Sequence, residues 1–359
     1  MGHAVYERLV SLRALRFVML GIALAAAVLV VARWGRLRPV AALHGEVVAR
    51  PVAQGRAVAW LERREDGDHL LFWSGRGTPR DLLSGHSLGA LAFSGDLLLT
   101  SRADARGAAE LLSVDTRTGK QESLTSLDAP ARALAADGNW ICSLSGSDEK
   151  LLSLPFVVAA SGWDALWAVP RQGGRPTLLG KTWGEVQGRM GLLGVSSGYV
   201  YWITRSSQGT MGATTIFRRR LPDGAPEVLA REPGPQDAVL AGTQVAWTCY
   251  SREAATPSAR RAVKAATLSG ADAHLVADWL SFRARLLASG DHIYARDEDI
   301  LWRLGQARGD QWVVATSLKQ GDTPVVATEI EYLAQREEEP RLVAQGLSWP
   351  AKLRLALGL

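Results

Sequence analysis

Seven stretches of this 359-residue chain resemble one another, and each places a turn before a short apolar strand. In six copies the turn centres on glycine, as in GRAVAWLER from Gly55, GYVYWITR from Gly198 and GTQVAWTC from Gly242. The seventh copy, TEIEYLAQ from Thr328, lacks the glycine. Successive copies are 40, 43, 60, 44, 48 and 38 residues apart. Repeats of about 40–50 residues built from short strands are typical of β-propeller blades.

The residues around each turn predict four antiparallel strands per repeat. An inner strand such as LGALAFS precedes the turn, and a second strand follows the turn. A third strand ends at a Gly-rich turn, as in ALWAVPRQGG, and a fourth strand such as RPTLLGK completes the repeat. The 36 Gly and 15 Pro fit many tight turns. The sequence therefore predicts an all-β fold in which residues 45–348 form a seven-bladed β-propeller of four-stranded blades, with six blades as the open alternative.

The seventh repeat is incomplete, since it runs out after EEPRLVAQGLS. An open blade would leave an exposed sheet edge, so a propeller has to close its ring. We expect the missing strand to come either from RPVAALHGEV at 38–47 or from the C-terminal tail at 349–359.

Two repeats resemble a known class of propeller. GYVYWITRS followed by TIFRRRLPDGAPEVLARE, and WDALWAVPRQGGRPTLLGK, are similar to the YWTD-type and TolB-like bacterial β-propellers. The resemblance covers about residues 45–345 and implies a propeller that works by protein contact outside the cytoplasm. Arg205 stands where the YWTD strand has its Asp, so no role of that Asp carries over.

The N-terminal segment predicts a membrane anchor. A basic tail at 1–16 precedes an unbroken apolar run at 17–32, and Trp34 follows at the position of an interfacial aromatic. We expect one uncleaved transmembrane helix at 17–34, followed by a linker at 35–44, with a cleaved signal peptide as the alternative. The short tail with its single acid, Glu7, favours a propeller in the periplasm or outside the cytoplasmic membrane, held to the lipid bilayer by the helix.

Charge argues against nucleic acid as a partner. The formal net charge is +5, and much of the excess flanks the apolar N-terminal run, so the remaining chain is close to neutral. The run Arg218–Arg219–Arg220 is the exception, and in a strand its side chains alternate between faces. A solvated strand edge is favoured there over a phosphate site.

The cysteines and tryptophans are interpreted as core residues. Cys142 and Cys249 fall in apolar strands of non-adjacent repeats, which predicts two buried free thiols rather than a disulfide. Thirteen Trp is a high number, and packing between neighbouring blades is favoured over ligand-binding aromatics.

No motif predicts catalysis or a cofactor. One segment, Gly85-His86-Ser87-Leu88-Gly89, matches the G-x-S-x-G nucleophile elbow, for which His274 or His292 could formally serve as the base. However, no βαβ pattern surrounds this segment, and the register of the repeats predicts that it is a linker between units one and two. Neither the six His nor the acidic clusters at 148–150 and 297–299 have the spacing of a metal site. The sequence therefore predicts no catalytic, metal-binding or cofactor-binding residues.

The third repeat is the longest, with its excess near 143–164, where we expect a hairpin packed on the ring or a docking loop. The leading hypothesis is a non-catalytic, membrane-anchored scaffold that binds a protein partner, such as a subunit of a membrane complex. The alternative is a propeller enzyme or ligand sensor. Charged side chains converging in the central funnel would favour the alternative, and an apolar or Gly-lined plug would favour the scaffold.

Overall fold

A computed structural model describes residues 38–104, 107–147, 162–183, 189–206, 212–251, 260–305, 311–315, 325–327, 330–336 and 341–346. These residues form 29 strands in seven antiparallel sheets. The predicted anchor at 17–34 and the C-terminal tail at 349–359 lie outside these ranges. Within them, no helix has the length and apolar character needed to cross a membrane.

The sheets are numbered 1 to 7 along the chain, and the strands of each are given from the ring axis outward. Sheet 1 contains β2 (Glu46–Val47) and β3 (Val52–Gln54), both paired with β4 (Ala57–Arg64), then β5 (Gly67–Trp73) and β6 (Arg80–Gly85). Sheet 2 contains β7 (Ala92–Ser94), β8 (Leu97–Ala103), β9 (Ala109–Asp115) and β10 (Gln121–Leu127). Sheet 3 contains β11 (Ala131–Ala136), β12 (Trp140–Ser147), β13 (Trp163–Pro170) and β14 (Thr177–Trp183).

The remaining sheets follow the same plan. Sheet 4 contains β15 (Arg189–Ser196), β16 (Tyr199–Ser206), β17 (Ala213–Arg220) and β18 (Glu227–Pro233). Sheet 5 contains β19 (Ala238–Ala241), β20 (Gln244–Tyr250), β21 (Arg260–Thr267) and β22 (His274–Ser281). Sheet 6 contains β23 (Arg285–Ser289), β24 (His292–Asp297), β25 (Ile300–Leu304) and β26 (Gln311–Ala315). Sheet 7 contains β27 (Val325–Ala327), β28 (Ile330–Arg336), β29 (Arg341–Gly346) and, as its outermost strand, β1 (Arg38–Ala42).

The repeated glycine turns occupy equivalent places in the sheets. Each lies between the innermost strand and the second strand, as the sequence predicts. Gly242 shows why glycine is needed: its φ of +53° favours glycine, and a Cβ there would lie 1.6 Å from Asp291 Oδ1.

The sheets form a β-propeller, which confirms the all-β propeller part of the predicted fold. The inner strand of each sheet contacts that of the next, from β3 around to β27, and β27 contacts β3 again. Apolar side chains fill the space between neighbouring sheets, with Trp60, Trp202 and Trp247 all buried. Trp202 stacks on Phe217 with ring centroids 5.3 Å apart. The packing interpretation is therefore confirmed for these tryptophans, and burial raises the pKa of Cys142, one of two buried free thiols.

The N-terminal strand completes the incomplete seventh sheet. Strand β1 pairs with β29 in antiparallel register, with Arg38 opposite Ala344 and Ala42 opposite Arg341. Of the two expected sources of the missing strand, the segment near 38–47 is the one observed. This strand falls within the stretch that the sequence interpretation assigns to the linker at 35–44.

Hydrogen bonds to side chains join successive sheets. In each case a side chain of one sheet, or of the segment leading into it, accepts the backbone N–H near the start of the next inner strand. The pairs are Leu88 N to Asp68 Oδ2 at 3.0 Å, Ala131 N to Ser101 Oγ at 2.8 Å, Met190 N to Asp164 Oδ2 at 2.9 Å, Gln236 N to Thr214 Oγ1 at 2.9 Å and Leu286 N to Asp237 Oδ2 at 2.9 Å. Donors at these entries to the ring, which are buried or part-buried, are thereby satisfied.

Two arginines of the basic run also join sheets. Arg218 donates to Glu227 of its own sheet at 2.6 and 2.8 Å and to the Leu268 carbonyl beside sheet 5 at 2.8 Å. Arg219 donates to the Leu179 carbonyl of sheet 3 at 2.5 Å. The predicted alternation is confirmed. The solvated-edge interpretation fits only Arg220, which is exposed.

Substitution of Glu62 would measure how much a buried hydrogen-bond acceptor contributes to the stability of the ring. Its side chain is 0% exposed and accepts from His44 N at 2.6 Å, Arg64 Nε at 3.1 Å and Trp60 Nε1 at 3.3 Å. Glu62→Gln presents an amide N–H₂ to a site where every neighbour is a donor. We expect the free energy of unfolding to fall by about 2 kcal/mol in urea titration. Glu122→Gln on the exposed β10 is the matched control, and an equal effect in both variants would contradict this role.

Candidate functional site

The two rims of the ring differ in character. All inner strands run in the same direction, so their first residues meet at one rim together with the last residues of the second strands. We call this the arginine rim, defined by Arg50, Arg132, Arg205, Arg285 and Arg296. The glycine turns meet at the opposite rim, the turn rim.

A funnel of about 1230 Å³ follows the ring axis. Six of the sheets contribute described lining residues, and its wall is largely apolar, with Leu91, Leu134, Leu193, Leu240 and Leu287 from five of them. At the arginine rim the lining is strongly cationic. The charged lining residues within the described ranges are the five arginines that define the rim and one carboxylate, Asp237.

An interruption in sheet 1 places Arg50 in the funnel. Strands β2 and β3 pair with different parts of β4. Val48 N still donates to the Leu61 carbonyl of β4 at 3.1 Å, and residues 49–51 leave the ladder. Pro51 has no N–H to give to the ladder, which is consistent with a break at this point. Arg50 therefore lies at a bend of the inner strand and not within a regular register.

Asp237 lies among the arginines of the rim and contacts Arg205. Its Oδ2 accepts from Leu286 N at 2.9 Å and its Oδ1 from Ala238 N at 3.1 Å, while Arg205 Nη2 lies 3.6 Å from Oδ1. Arg205 also donates from Nε to the Gln236 carbonyl at 3.0 Å, which fixes the direction of its guanidinium. Because two backbone N–H groups occupy the Asp237 carboxylate, it acts as a positioning group for the arginines.

Burial and mutual repulsion act on these arginines. Burial lowers the pKa of Arg205, Asp237 opposes this shift, and the Arg285 charge adds to it. Arg50 reaches solvent yet is surrounded by the funnel, and its pKa is lowered by loss of hydration and partly restored by Asp237. Arg261 lies just behind, and burial together with Arg285 lowers its pKa. Several guanidiniums thus share one carboxylate, so an anion entering the rim would relieve their repulsion.

A second arginine pair lies beside sheet 3. Arg132 Nη1 and Arg189 Nε each lie 3.2 Å from the carboxylate of Asp164, which is 2% exposed. Asp164 also accepts Met190 N, so it joins sheets 3 and 4 while holding Arg132 at the funnel.

The G-x-S-x-G segment begins at Gly85, the last residue of β6, and the rest of it lies in the linker between β6 and β7, as the repeat register predicts. No helix follows Ser87, which is exposed and has a φ of +54°. His274 and His292 belong to sheets 5 and 6, whereas the Ser87 linker joins sheets 1 and 2. The structure does not bring these three residues together.

Of the two acidic clusters in the sequence, at 148–150 and 297–299, only the second lies within the described residues. Residues 148–150 lie outside the described ranges, as does most of the long insertion near 143–164. In the other cluster, Asp297 accepts Ser281 N at 3.1 Å and thereby ties sheet 6 to sheet 5. In the part of the chain that the structure describes, no three His, Cys, Asp or Glu side chains are grouped so that they could hold a metal ion.

The sequence contained a signal for the arginine rim that motif reasoning missed. Three inner strands share an Ala-Arg-x-Leu/Val-Ala pattern: ARPVA at 49–53, ARALA at 131–135 and ARLLA at 284–288. Arg205 and Arg296 are the next-to-last residues of second strands and lie opposite Arg189 and Arg285 in the register. A recurring arginine at one repeat position marks one rim of a ring, which no local motif search detects.

The chain is similar in structure to propeller-containing enzymes, whereas no protein-family model and no curated protein sequence matches it. An oligogalacturonate lyase in complex with manganese has a TM-score of 0.62 and 10% identity, over 89% of this chain and 99% of that one. A Pyrococcus horikoshii acylaminoacyl peptidase has a TM-score of 0.57 and 10% identity over 87% of this chain; this chain spans only 54% of the peptidase. The β-propeller domain of the Trilobed protease from Pyrococcus furiosus has a TM-score of 0.54 and 11% identity, over 82% and 92%.

At this identity the similarity shows the fold alone. The propeller part of the predicted resemblance is therefore confirmed, and membership of the YWTD or TolB-like family stays a prediction. The described residues do not fit a manganese ion of the kind named for the lyase, because the funnel lining is cationic and Asp237 is its one described carboxylate.

The predicted function was wrong in its main part. The chain was expected to be a non-catalytic scaffold and not an enzyme, yet solved structures that match most of it include peptidases and a lyase. The funnel gives the physical reason, because charged side chains from several sheets converge where a scaffold predicts an apolar or Gly-lined plug. The correction favours the alternative of a propeller enzyme or ligand sensor.

Arg285 provides a test of the repulsion within the arginine rim. In the described residues no carboxylate pairs with Arg285, and its charge lowers the pKa of both Arg205 and Arg261. We expect Arg285→Gln to raise the free energy of unfolding by about 0.5 kcal/mol at low ionic strength, since one repelling charge is removed. The gain should shrink as added salt screens the charges. Arg283→Gln, at an exposed arginine two residues away, is the control, and greater destabilisation by Arg285→Gln than by the control would contradict the interpretation.

Proposed function

We propose that this protein is a propeller enzyme or ligand sensor that binds an anionic ligand in the arginine rim of its funnel. The observation that carries the proposal is the convergence of five guanidiniums on a lining with one carboxylate among the described residues. A guanidinium offers a planar set of N–H donors that matches carboxylate oxygens two at a time. The site therefore suits a ligand with several negative charges.

The size of the funnel favours an oligomeric ligand. Its volume of about 1230 Å³ exceeds the roughly 300–1,000 Å³ of ordinary small-molecule sites. The lyase with a similar ring is named for oligogalacturonate, a chain of carboxylated sugars. We infer that carboxylated oligosaccharides are the ligand class to test first, because their repeated carboxylates complement arginines spread around a rim.

In this proposal the arginines of the rim bind the ligand, and Asp237 positions one of them. Arg50, Arg205, Arg285 and Arg296 bind carboxylates of the ligand, while Asp237 orients the Arg205 guanidinium and is itself held by backbone N–H groups. Pairing with guanidiniums would neutralise the carboxylates of such a ligand, which is the electrostatic contribution that these arginines can supply in the funnel.

We also infer that the ring has seven blades. Seven sheets are formed by the described residues, and contacts between inner strands run from each sheet to the next and back to the first. Strand β1 is the closing strand of the seventh blade.

The N-terminal segment is proposed to anchor this ring to the bilayer as a single transmembrane span at 17–34, with the propeller outside the cytoplasmic membrane. Strand β1 is the outermost of its sheet, so its first residue, Arg38, lies at the turn rim. In the proposed arrangement the turn rim faces the membrane and the arginine rim opens away from it. A protein partner stays a prediction.

Ligand binding is tested with trigalacturonate, a neutral galactose trimer and inorganic phosphate, by isothermal titration calorimetry. We expect trigalacturonate to bind, with an affinity that falls as salt rises, and the neutral trimer to give no heat. Arg205→Gln should raise the Kd at least tenfold, about 1.4 kcal/mol. Arg220→Gln removes the same charge at the turn rim and should leave the Kd unchanged. Equal losses of affinity in the two variants would exclude a site at the arginine rim.

An activity assay separates an enzyme from a sensor. Formation of an unsaturated product from trigalacturonate, followed by ultraviolet absorbance, would indicate an enzyme.

The anchor is tested by expressing the full chain and a variant lacking residues 1–36 in a bacterium. We expect the full chain to stay with the membrane pellet after alkaline carbonate washing and the variant to appear in the supernatant, because the apolar run is removed while β1 is kept. Recovery of both forms in the supernatant would refute the single-span proposal.

A further inference from the structure

Two tryptophans and a lysine, of which Lys181 and Trp183 are exposed and Trp163 is partly exposed, lie together at the outside of sheet 3. Trp163 lies directly opposite Trp183 in the pairing of β13 with β14. Lys181 Nζ lies 4.7 Å from the centre of the Trp163 ring and 4.4 Å from that of Trp183. The Trp183 residue is 55% exposed. We call this group the indole ledge.

The indole ledge belongs to the same rim as the arginines. Strand β13 begins at Trp163 and β14 ends at Trp183, and strand direction places both ends at the arginine rim. The residue after Trp163 is Asp164, whose carboxylate holds Arg132 at the funnel. Because strands lie about 4.8 Å apart, β13 and β14 stand roughly 10 and 14 Å outward from the inner strand β11.

The chemistry of the ledge suits the ring of a charged sugar. Exposed apolar surface at a rim of polar residues is typical of a binding site, and aromatic rings offer flat surfaces for stacking. The Lys181 ammonium lies in cation–π contact with the two indoles, where it can receive a ligand carboxylate. Neutral peptides or lipids would gain nothing from this lysine.

We propose that the indole ledge is an outer subsite for one sugar ring of an anionic oligosaccharide whose other carboxylates bind the arginine rim. This inference rests on the proposed function and adds that the ligand is extended. A monomer in the funnel does not span the two or three strands that separate it from the ledge. Chain-length preference is therefore set at the ledge, while charge recognition is set in the funnel.

The test compares galacturonate oligomers of one to six units by calorimetry on the full chain. In the wild type, affinity should rise about tenfold between the monomer and the longer oligomers. Trp183→Ala should abolish this rise and leave monomer binding unchanged, and Lys181→Gln should reduce it. Trp73→Ala, at the end of β5 on the turn rim, is the matched control and should retain the rise. Quenching of the indole fluorescence by long oligomers, lost in Trp183→Ala, gives a second readout.

The outcomes separate this proposal from the preceding one. If Arg205→Gln weakens every oligomer while Trp183→Ala preserves the length dependence, the ledge is not a subsite and the funnel site stands. If the wild type binds no galacturonate oligomer at all, the ligand class is wrong and both proposals fall. Circular dichroism of each variant confirms folding, and should Trp183→Ala unfold, Lys181→Gln decides the question.

Discussion

Ring closure is the constraint on which the rest of this structure depends. Strand β1 pairs with β29, and the N–H of His44, two residues beyond β1, is accepted by the buried carboxylate of Glu62 in sheet 1. The strand from one end of the described chain thereby covers an edge that sheet 7 would otherwise expose. A closed ring fixes the distance of every inner strand from the axis, and that distance determines which side chains meet in the funnel.

The arginine rim is a consequence of this closure and also opposes it through charge repulsion. Arg50 and Arg296 are far apart in the sequence, and only the shared direction of the inner strands brings their ends to one rim. Their repulsion is contained by positioning carboxylates: Asp237 and Asp164 each hold an arginine and also accept an N–H from the next inner strand. The same side chains therefore join the sheets and orient the cations, which links the stability of the ring to the geometry of the site.

Much of the fold could be predicted because it is local and repeated. The Gly55 and Gly242 turns, the strands after them and the burial of Cys142 follow from short patterns of turn residues and apolar runs. The site could not be predicted in the same way. Ser87 attracted attention because G-x-S-x-G is a local motif, yet it lies in a linker. Arg132 and Arg285 lacked any motif beyond their repeated position, so their importance was missed.

The sequence by itself determined that the chain alternates short strands with glycine turns and needs a borrowed strand to close. It did so because these requirements act between residues close in sequence or within one repeat. Tertiary structure alone decided that Arg50, Arg205 and Arg261 lie near one carboxylate, that of Asp237, that Trp163 and Trp183 lie at the same rim, and that β1 is the closing strand. The physical reason is that electrostatic interaction depends on distance in space, and a ring sets that distance independently of separation along the chain.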